Sequence, residues 1–413
     1  MKSALKIFGC VIMVIVVSIL ALAGLNYLNR PTMIEYIDTF EAVEYENQLT
    51  PEFDENGVPY FVTDGEFKVM QLTDVHIGGN IFSIEKDKKA INAVAAMITA
   101  EKPDLVVVTG DISYAVFWGG TINNSYGHEY FIRLMENLGV YYTITLGNHD
   151  SESYNLYSRE DVSKMYEDES LERCLFSNDD GNTYGYGNHV INVKNTKGLI
   201  TKSLVMMDTN SYTDKDILGL LWDYDNIHED QIEWYRGVID NYSSQNRALL
   251  GSMPENERPD NTEDFETVQS LLFIHIPLLE VREAYNEYLE AGEKNTDDLT
   301  YIRGEVGEEA PYVYSSEREE QMFETILELG STKAMFYGHD HLNNIVLEYK
   351  GVILCYGYSI DYFAYAGIDK LGSQRGCTVI NCSPDTSFEI IHENYYQDKY
   401  VPLYEKEVVD LTN

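Results

Sequence analysis

A continuous apolar run opens the chain and differs from every later segment in lacking a polar face. Ile7–Leu25 carries no charged residue, and Lys2 and Lys6 precede it. At about 1.5 Å per residue, a helix of this length spans about 30 Å, enough to cross the hydrocarbon core of a bilayer. The lysines favour a cytoplasmic N-terminus. We therefore predict that residues 1–30 form a single-pass membrane anchor.

A cleaved signal peptide is the alternative for the same segment. Ala21-Leu22-Ala23 has the small-x-small pattern of a cleavage site. The run exceeds the usual signal core of about 7–15 residues, which favours a retained anchor. Both interpretations place residues 31–413 outside the cytoplasm, either held at the cell membrane or secreted after cleavage.

Beyond an acidic, weakly periodic segment, residues 31–59, which we interpret as a juxtamembrane linker, strand and helix spacings alternate. Two β-rich runs flank Asp64-Gly65, which predicts a hairpin. Further strands are predicted at Phe67–Leu72, Asp104–Thr109, Tyr141–Leu146, Leu204–Met207, Leu271–Ile274 and Lys333–Tyr337. Helices are predicted from Ser83 up to Pro103 and at Tyr130–Leu138, Asp230–Asn241 and Glu317–Leu329.

The second half of the chain has shorter alternating runs, which predict strands without intervening helices. Two polar insertions, residues 252–265 and 292–312, are predicted to be loops. We expect an α/β domain over residues 60–395 and a C-terminal tail over residues 396–413.

Charge and cysteine content narrow the classes of function. The formal net charge is −40, so the surface repels a phosphate backbone and general nucleic-acid binding is not expected. A small phosphorylated substrate remains compatible, because bound metal reverses the charge inside a pocket. The extracytoplasmic cysteines form no C-x-x-C pair, so we predict no thiolate metal site and leave their disulfide pairing open.

Metal-ligand residues follow five of the predicted strands directly. In α/β sheets the carboxyl ends of adjacent strands lie together, and ligands bind there. Each motif alone is more often a turn or a buried histidine. The occurrence of all five in this order, each at the end of a predicted strand, is far less probable by chance. The sequence therefore predicts three carboxylate or amide oxygens and four histidine nitrogens as the ligands of two divalent ions, from Asp74, His76, Asp111, Asn148, His275, His339 and His341. His149 and Asp150 belong to the same motifs without being ligands. We interpret His128, His228 and His392, which lie outside the set, as surface residues.

These motifs resemble the calcineurin-like metallophosphoesterases, whose pattern is D-x-H, G-D, G-N-H-D/E, a lone His and G-H-x-H. The chain supplies each element in order from Asp74 to His341, and the resemblance covers about residues 60–395. It implies a four-layer α/β/β/α sandwich that hydrolyses phosphate esters with a hydroxide bridging two metals. One metal would take Asp74, His76, Asp111 and His341, and the other would take Asp111, Asn148, His275 and His339.

The resemblance also implies roles around the metals. His149 would stabilise the transition state or protonate the leaving oxygen, and Asp150 would orient it. Asn148 and His149 would contact the substrate. Gly338 would let the chain turn tightly, so that His339 and His341 face different metals. A mixed nitrogen and oxygen site suits Mn, Fe or Zn.

The nearest branch resembles purple acid phosphatases, because Gly110-Asp111-Ile112-Ser113-Tyr114 matches their G-D-x-x-Y. Those enzymes have D-x-G where this chain has Asp74-Val75-His76, so we expect that Tyr114 is not a ligand. A catalytically silent binding module with the same fold is the alternative to an enzyme.

Overall fold

The computed structural model describes residues 2–116, 119–178, 183–216, 219, 221–318, 321–365, 368 and 375–409. Its helices are α1 (Lys2–Ile37), α2 (Ile84–Glu101), α3 (Ser125–Leu138), α4 (Arg159–Tyr166), α5 (Glu229–Ser252), α6 (Glu263–Glu266), α7 (Leu279–Glu290) and α8 (Met322–Leu329). Its strands are β1 (Glu52–Phe53), β2 (Pro59–Val62), β3 (Phe67–Leu72), β4 (Leu105–Thr109), β5 (Tyr142–Thr145), β6 (His189–Lys194), β7 (Ile200–Met206), β8 (Ser270–Phe273), β9 (Leu299–Arg303), β10 (Thr332–Tyr337), β11 (Val346–Tyr349), β12 (Val352–Tyr356), β13 (Gly376–Cys382) and β14 (Phe388–Asn394).

Two sheets face each other, and each is covered on its outer face by helices. The larger has nine strands in the order β1-β2-β6-β7-β8-β10-β12-β11-β9, and the smaller has five in the order β14-β13-β3-β4-β5. The centre of each sheet is parallel: β7, β8, β10 and β12 run together in one, and β3, β4 and β5 in the other. The predicted four-layer sandwich is confirmed.

Side-chain alternation along the central strands explains the layers. Along β4, Leu105 and Val107 face the opposite sheet, while Val106 and Val108 pack against the helices. Both faces are therefore apolar, which is why "LVVVT" is a continuous apolar run rather than an alternating one. The same division separates Phe336 from Met335 in β10, whose outer side chains pack with those of α5, α7 and α8.

The predicted hairpin around Asp64-Gly65 is wrong. β2 runs parallel to β6 in the larger sheet, whereas β3 lies between β13 and β4 in the smaller one. The Asp64 carboxylate accepts a hydrogen bond from the backbone N–H of Thr196, so this turn is fixed to another loop while the chain crosses between sheets. A turn signal reports a local reversal and does not specify the strand's partner.

Two other predicted boundaries differ from the structure. The insertion 292–312 contains strand β9, which forms the outer edge of the larger sheet beside β11. Helix α1 continues past residue 30, and Met33, Ile37 and Phe40 are buried with side chains of α2 and α3. These residues of the predicted linker therefore pack on the domain. Cys10–Ile37 has a mean hydropathy of 2.5 over its most apolar window, which suits either a membrane span or a signal sequence.

Candidate metal centre

The nine predicted site residues all follow strands whose carboxyl ends meet at one edge of the sandwich. β3, β4 and β5 deliver their residues from the smaller sheet, and β8 and β10 deliver theirs from the larger one. The five segments are Asp74 to His76, Asp111, Asn148 to Asp150, His275, and His339 to His341. Because both strand sets are parallel, the motifs that are far apart in sequence meet across the sheets.

The backbone at this edge adopts conformations that residues other than glycine rarely take. Asp74, His76, Asp111 and His339 have φ angles of 51°, 52°, 55° and 75°, in the left-handed region. Such strain persists where the surrounding structure holds it and is concentrated at functional sites. Here the left-handed residues turn their side chains back over the strand ends.

Gly338 is required because no space is left for a side chain at this position, and not because its own backbone is left-handed. Its φ is not positive, and the following His339 takes the left-handed conformation instead. A Cβ at Gly338 would overlap Thr73 Oγ1 and the Asp74 carboxylate. The predicted tight turn is present, since the Gly338 carbonyl accepts from the Asp340 backbone N–H at 2.9 Å, but His339 supplies its left-handed residue. The glycine is needed because β10 passes so close to the end of β3.

Asp340 separates the two histidines that flank it. Its buried carboxylate accepts hydrogen bonds from the Tyr356 hydroxyl at 2.5 Å and the Tyr314 backbone N–H at 3.1 Å. With Asp340 anchored away from the centre, the histidines on either side turn toward different groups of residues. This arrangement explains the spacing of His339 and His341 by a single residue.

The first group consists of four buried side chains. One potential ligand atom from each of Asp74, His76, Asp111 and His341 lies within 4.8 Å of all the others. His76 Nε2 is 3.2 Å from Asp111 Oδ2, and His341 Nε2 is 3.6 Å from Asp74 Oδ1. Two carboxylates and two imidazoles therefore converge on a single small volume.

Asp361 lies behind the first group. Its two carboxylate oxygens are 3.5 Å from His76 Nδ1 and 3.4 Å from His341 Nδ1. Backbone N–H groups of Phe363, Ala364 and Tyr365 donate to the same carboxylate. Burial alone would raise the pKa of Asp361, but the two imidazoles and their hydrogen bonds hold it far below its usual range. A single carboxylate thus fixes both rings with Nε2 toward the centre.

In the second group, uncharged hydrogen-bond partners orient the donor side chains. His275 Nδ1 donates to the Thr109 carbonyl at 2.8 Å, so its Nε2 faces Asn148 Oδ1 at 3.1 Å and Asp111 Oδ2 at 3.3 Å. The Asn148 amide nitrogen donates to the Tyr212 hydroxyl at 3.0 Å, which turns its oxygen inward. The ring of His339 lies 5.3 Å from that of His275, measured between centroids. The structure therefore assembles the second predicted set as well.

The residues fit divalent metal ions. His339 Nε2 is buried and has no hydrogen-bond partner within the described residues, as expected of an atom reserved for a ligand. Burial lowers the pKa of His275, but the adjacent Asp111 carboxylate outweighs it and raises the pKa to about 9. The carboxylates thus favour positive charge inside the cluster, which a divalent cation also supplies. The donors are nitrogen and oxygen, since the five cysteines are free thiols outside these groups.

His149 lies at the mouth of the centre, with a quarter of its side chain exposed. Its Nδ1 is 2.7 Å from the carboxylate of Glu152, so Nε2 is the nitrogen available for proton transfer. Its backbone N–H donates to Asp111 Oδ1 at 2.8 Å, which ties the residue to the shared carboxylate. The orienting carboxylate is therefore Glu152.

The predicted orienting role of Asp150 is wrong. Its carboxylate accepts from the backbone N–H groups of Asp111, Ile112, Ser113 and Gly147 at 2.7–3.0 Å. Because Asp150 turns beneath the loop after β4, it fixes the backbone that presents Asp111 instead of the ring of His149. It is a positioning residue and does not face the mouth.

The prediction that His128 lies on the surface is also wrong. His128 is fully buried in α3 and contacts the Tyr166 hydroxyl at 3.0 Å and the Asp150 carbonyl at 3.3 Å. Burial lowers its pKa. A helical histidine among aromatic residues carries no sequence signal of this contact, since its partners come from α4 and the loop after β5. His228 and His392 are half-buried rather than exposed.

Sequence reasoning missed Glu152 and Asp361. Glu152 follows His149 by three residues, and this spacing could have identified it. Asp361 lies in the aromatic segment "YGYSIDYFAY", which follows β12 and carries no spacing relation to His76 or His341. Only the folded chain brings that segment behind the two imidazoles.

Known proteins are similar to this chain in sequence. Residues 67–343 match the sequence model for calcineurin-like phosphoesterase, which is more than half of the chain. Probable inactive purple acid phosphatase 14 of Arabidopsis thaliana is 27% identical over 75% of this chain and 74% of its own length. Phosphatase DCR2 of Saccharomyces cerevisiae is 27% identical over 71% of this chain and 48% of its own length.

Solved structures align with this chain at low sequence identity. A dimetal phosphatase from Danio rerio aligns with a TM-score of 0.49 and 11% identity, covering 81% of this chain and 98% of that chain. Purple acid phosphatase PPD1 from yellow lupin aligns with a TM-score of 0.37 and 12% identity, covering 85% and 57%. On its sequence match, the chain belongs to the calcineurin-like phosphoesterase family.

Proposed function

We propose that the protein is a membrane-anchored phosphoesterase that acts outside the cytoplasm with two divalent ions, which are Mn, Fe or Zn. The shared position of Asp111 carries the proposal. Its Oδ2 lies 3.2 Å from His76 Nε2 and 3.3 Å from His275 Nε2, between the two groups of donors. A carboxylate between two sets of imidazoles suits two metals held close together.

The residues divide the work of phosphate-ester hydrolysis. Bound ions would lower the pKa of a water molecule and neutralise charge on the phosphoryl oxygens. Asp74, His76, Asp111 and His341 would hold one ion, and Asp111, Asn148, His275 and His339 would hold the other. His149 Nε2, at the mouth, would protonate the leaving oxygen while Glu152 keeps the ring in place. Asn148 and His149 border the space for the phosphate.

The first helix supports the proposed location of the catalytic domain outside the cytoplasm. An uncharged run behind Lys2 and Lys6 supports a span with the domain outside the cytoplasm, and cleavage near Gly24 would secrete the same domain. The net charge of −40 supports a small phosphorylated substrate over a nucleic acid.

A catalytically silent binding module is the second candidate, because three relatives are named probable inactive purple acid phosphatases. Against it stands a donor set with every predicted ligand present at the edge, together with the His149–Glu152 pair. A protein that only binds its ligand does not need a proton donor at the mouth of the site.

Metal analysis combined with substrate turnover separates the candidates. Purified protein is expected to carry two metal equivalents and to hydrolyse p-nitrophenyl phosphate or its bis-ester. A chelator should abolish turnover, and Mn, Zn or Fe should restore it. Two bound metals without turnover of either ester would support the silent module, and protein that binds no metal would contradict the proposed phosphoesterase.

A further inference from the structure

Helix α1 has a fixed direction on the domain because ion pairs hold it against α3. Near its end, Asp38 pairs with Arg133 at 2.6 Å. Two turns earlier, Arg30 pairs with Glu129. The order of partners shows that α1 runs parallel to α3. Pro31 lies between these contacts, so a kink there does not free the helix.

The start of α3 lies at the metal edge. Asn124, its N-cap, donates through its side chain to the Asp150 carbonyl at 2.8 Å. The end of α3 leads into β5 and therefore lies at the opposite edge. Since α1 is parallel to α3, α1 traced backward from Ile37 approaches the metal edge.

Asn26 marks the point where α1 leaves the domain. Its side chain is 3% exposed, donates to the Gly120 carbonyl at 3.1 Å and accepts from the Ile81 backbone N–H at 3.0 Å. Ile81 belongs to the loop that follows His76, and Gly120 to the loop that follows Asp111. The residues that precede Asn26 are the uncharged apolar run Ile7–Leu25. The apolar part of α1 therefore extends beyond the edge that carries the site.

Exposed apolar side chains surround the same edge. Phe82 is 63% exposed and lies against Gly120, and Leu156 is 62% exposed and borders a groove with Ile15 and Leu22 of α1. Tyr365 is 40% exposed, with its ring 5.4 Å from that of His341. Exposed aromatic and apolar residues beside a membrane helix suit the boundary between lipid and water.

Positive charge also accompanies this edge in an otherwise acidic protein. Lys86, in the first turn of α2, lies 5.0 Å from the ring of Phe363, two residues beyond Asp361. Lys89 lies 5.9 Å from the ring of Tyr362. Both lysines are exposed, so they can attract an anionic lipid headgroup close to the mouth of the site.

We propose that the metal centre faces the bilayer and acts on phosphate esters carried by membrane lipids. This inference rests on the proposed function and names the substrate class of that same site. If Ile7–Leu25 occupies the hydrocarbon core, Asn26 lies at the membrane surface, and the loops after β3 and β4 lie at headgroup depth. A soluble ester reaches the site from the side, whereas a lipid ester is delivered in the orientation set by α1.

The depth of the metal edge can be measured on full-length protein in phosphatidylcholine vesicles. Leu156→Cys and Glu66→Cys, each in a Cys10→Ser background, are labelled with a nitrobenzoxadiazole fluorophore. Glu66 is exposed and precedes β3, so it reports the opposite edge. Lipids with a nitroxide on the headgroup should quench the label at position 156 at least threefold more than the label at position 66. Equal quenching at the two positions would overturn the proposal.

Turnover provides the second test, with vesicles that contain dioleoyl phosphatidate and with soluble p-nitrophenyl phosphate. A Gly-Ser spacer of about 12 residues between Leu25 and Asn26 releases the domain from its fixed orientation. We expect about tenfold slower hydrolysis of the lipid and an unchanged rate on the soluble ester. The same spacer between Met1 and Lys2 is the matched control and should change neither rate.

The two proposals fail in different ways. Hydrolysis of the soluble ester without hydrolysis of vesicle phosphatidate, or a lipid rate that the Leu25–Asn26 spacer leaves unchanged, would overturn the membrane-facing proposal alone. A mature chain that begins near Gly24 would do the same, because no span would remain. If metal-loaded wild-type protein hydrolysed neither the lipid nor the soluble ester, the proposed function itself would be overturned.

Discussion

The two halves of the candidate metal centre share Asp111 but support their histidines differently. In the first half, the Asp361 carboxylate lies behind both His76 and His341, at 3.5 and 3.4 Å. In the second, a backbone carbonyl supports His275, at 2.8 Å. A carboxylate behind an imidazole raises its basicity more than a carbonyl does. The comparison predicts one tightly held ion and one that exchanges more readily.

The amide and carboxylate donors strengthen this difference. The first half adds the Asp74 carboxylate to the shared one, whereas the second adds only the neutral amide of Asn148. Anionic oxygens bind divalent ions more strongly than amide oxygens because of charge. His149 is tied to the shared carboxylate, since its backbone N–H donates to Asp111 at 2.8 Å, and its ring lies 5.7 Å from that of His76 in the first half.

Asp111→Asn tests whether the halves are joined, and it should have the largest effect. One bridging carboxylate serves both groups, so we expect both ions to be lost and turnover to fall by about 10³-fold or more. Elemental analysis beside the rate gives the result. If the variant bound two equivalents with wild-type affinity, the bridging role of Asp111 would be untenable.

His149→Ala should separate catalysis from metal binding. We expect both ions to remain and turnover to fall by about 10²–10⁴-fold, because a positioned proton donor is lost. Glu152→Gln keeps the ring but weakens its orientation, so its loss should be smaller. Asp150→Asn serves as a contrast and should mainly lower stability, since its carboxylate holds four backbone N–H groups. Loss of a metal from His149→Ala would show that His149 is a ligand.

Asp361→Asn sharpens the contrast between the halves. We expect the affinity of the first ion to fall by about 10–100-fold, while the second ion is retained. Tyr212→Phe is the matched variant for the other half. It removes a neutral hydrogen bond of 3.0 Å to Asn148, which is worth about 0.5–1.5 kcal/mol, so the second ion should weaken by about tenfold at most. Titration of metal-free protein with Mn gives both affinities, and equal losses in the two variants would remove the distinction.

Among these variants, Tyr114→Phe should change activity and metal binding the least. The Tyr114 ring packs beside the rings of His76 and His149, at centroid distances of 5.1 and 4.9 Å. Because His76 already supplies a nitrogen in the first group, we expect no charge-transfer colour in iron-loaded protein. A visible spectrum of wild type and variant provides the measurement. A strong band that disappears in Tyr114→Phe would instead make Tyr114 a ligand.

Local patterns in the sequence determined the strand ends and the donor residues. Parallel strands buried on both faces appear as continuous apolar runs, and a polar residue directly after such a run must lie at the carboxyl edge. That reasoning located Asp74, Asp111, His275 and the histidines after β10, and the structure gathers all of them at one edge. The four layers follow from the same alternation of strands and helices.

Tertiary structure decided the features that depend on distant partners. Asp361 lies more than 280 residues from His76 and 20 residues from His341 along the chain, and no spacing rule connects it with either. Burial of His128 depends on Tyr166 of another helix, and the partners of β2 and β3 lie in two different sheets. A sequence specifies local conformation through neighbouring residues, whereas these contacts exist only after the chain has packed. The direction in which α1 leaves the domain is of the same kind, since Asn26 finds Ile81 and Gly120 only in the folded protein.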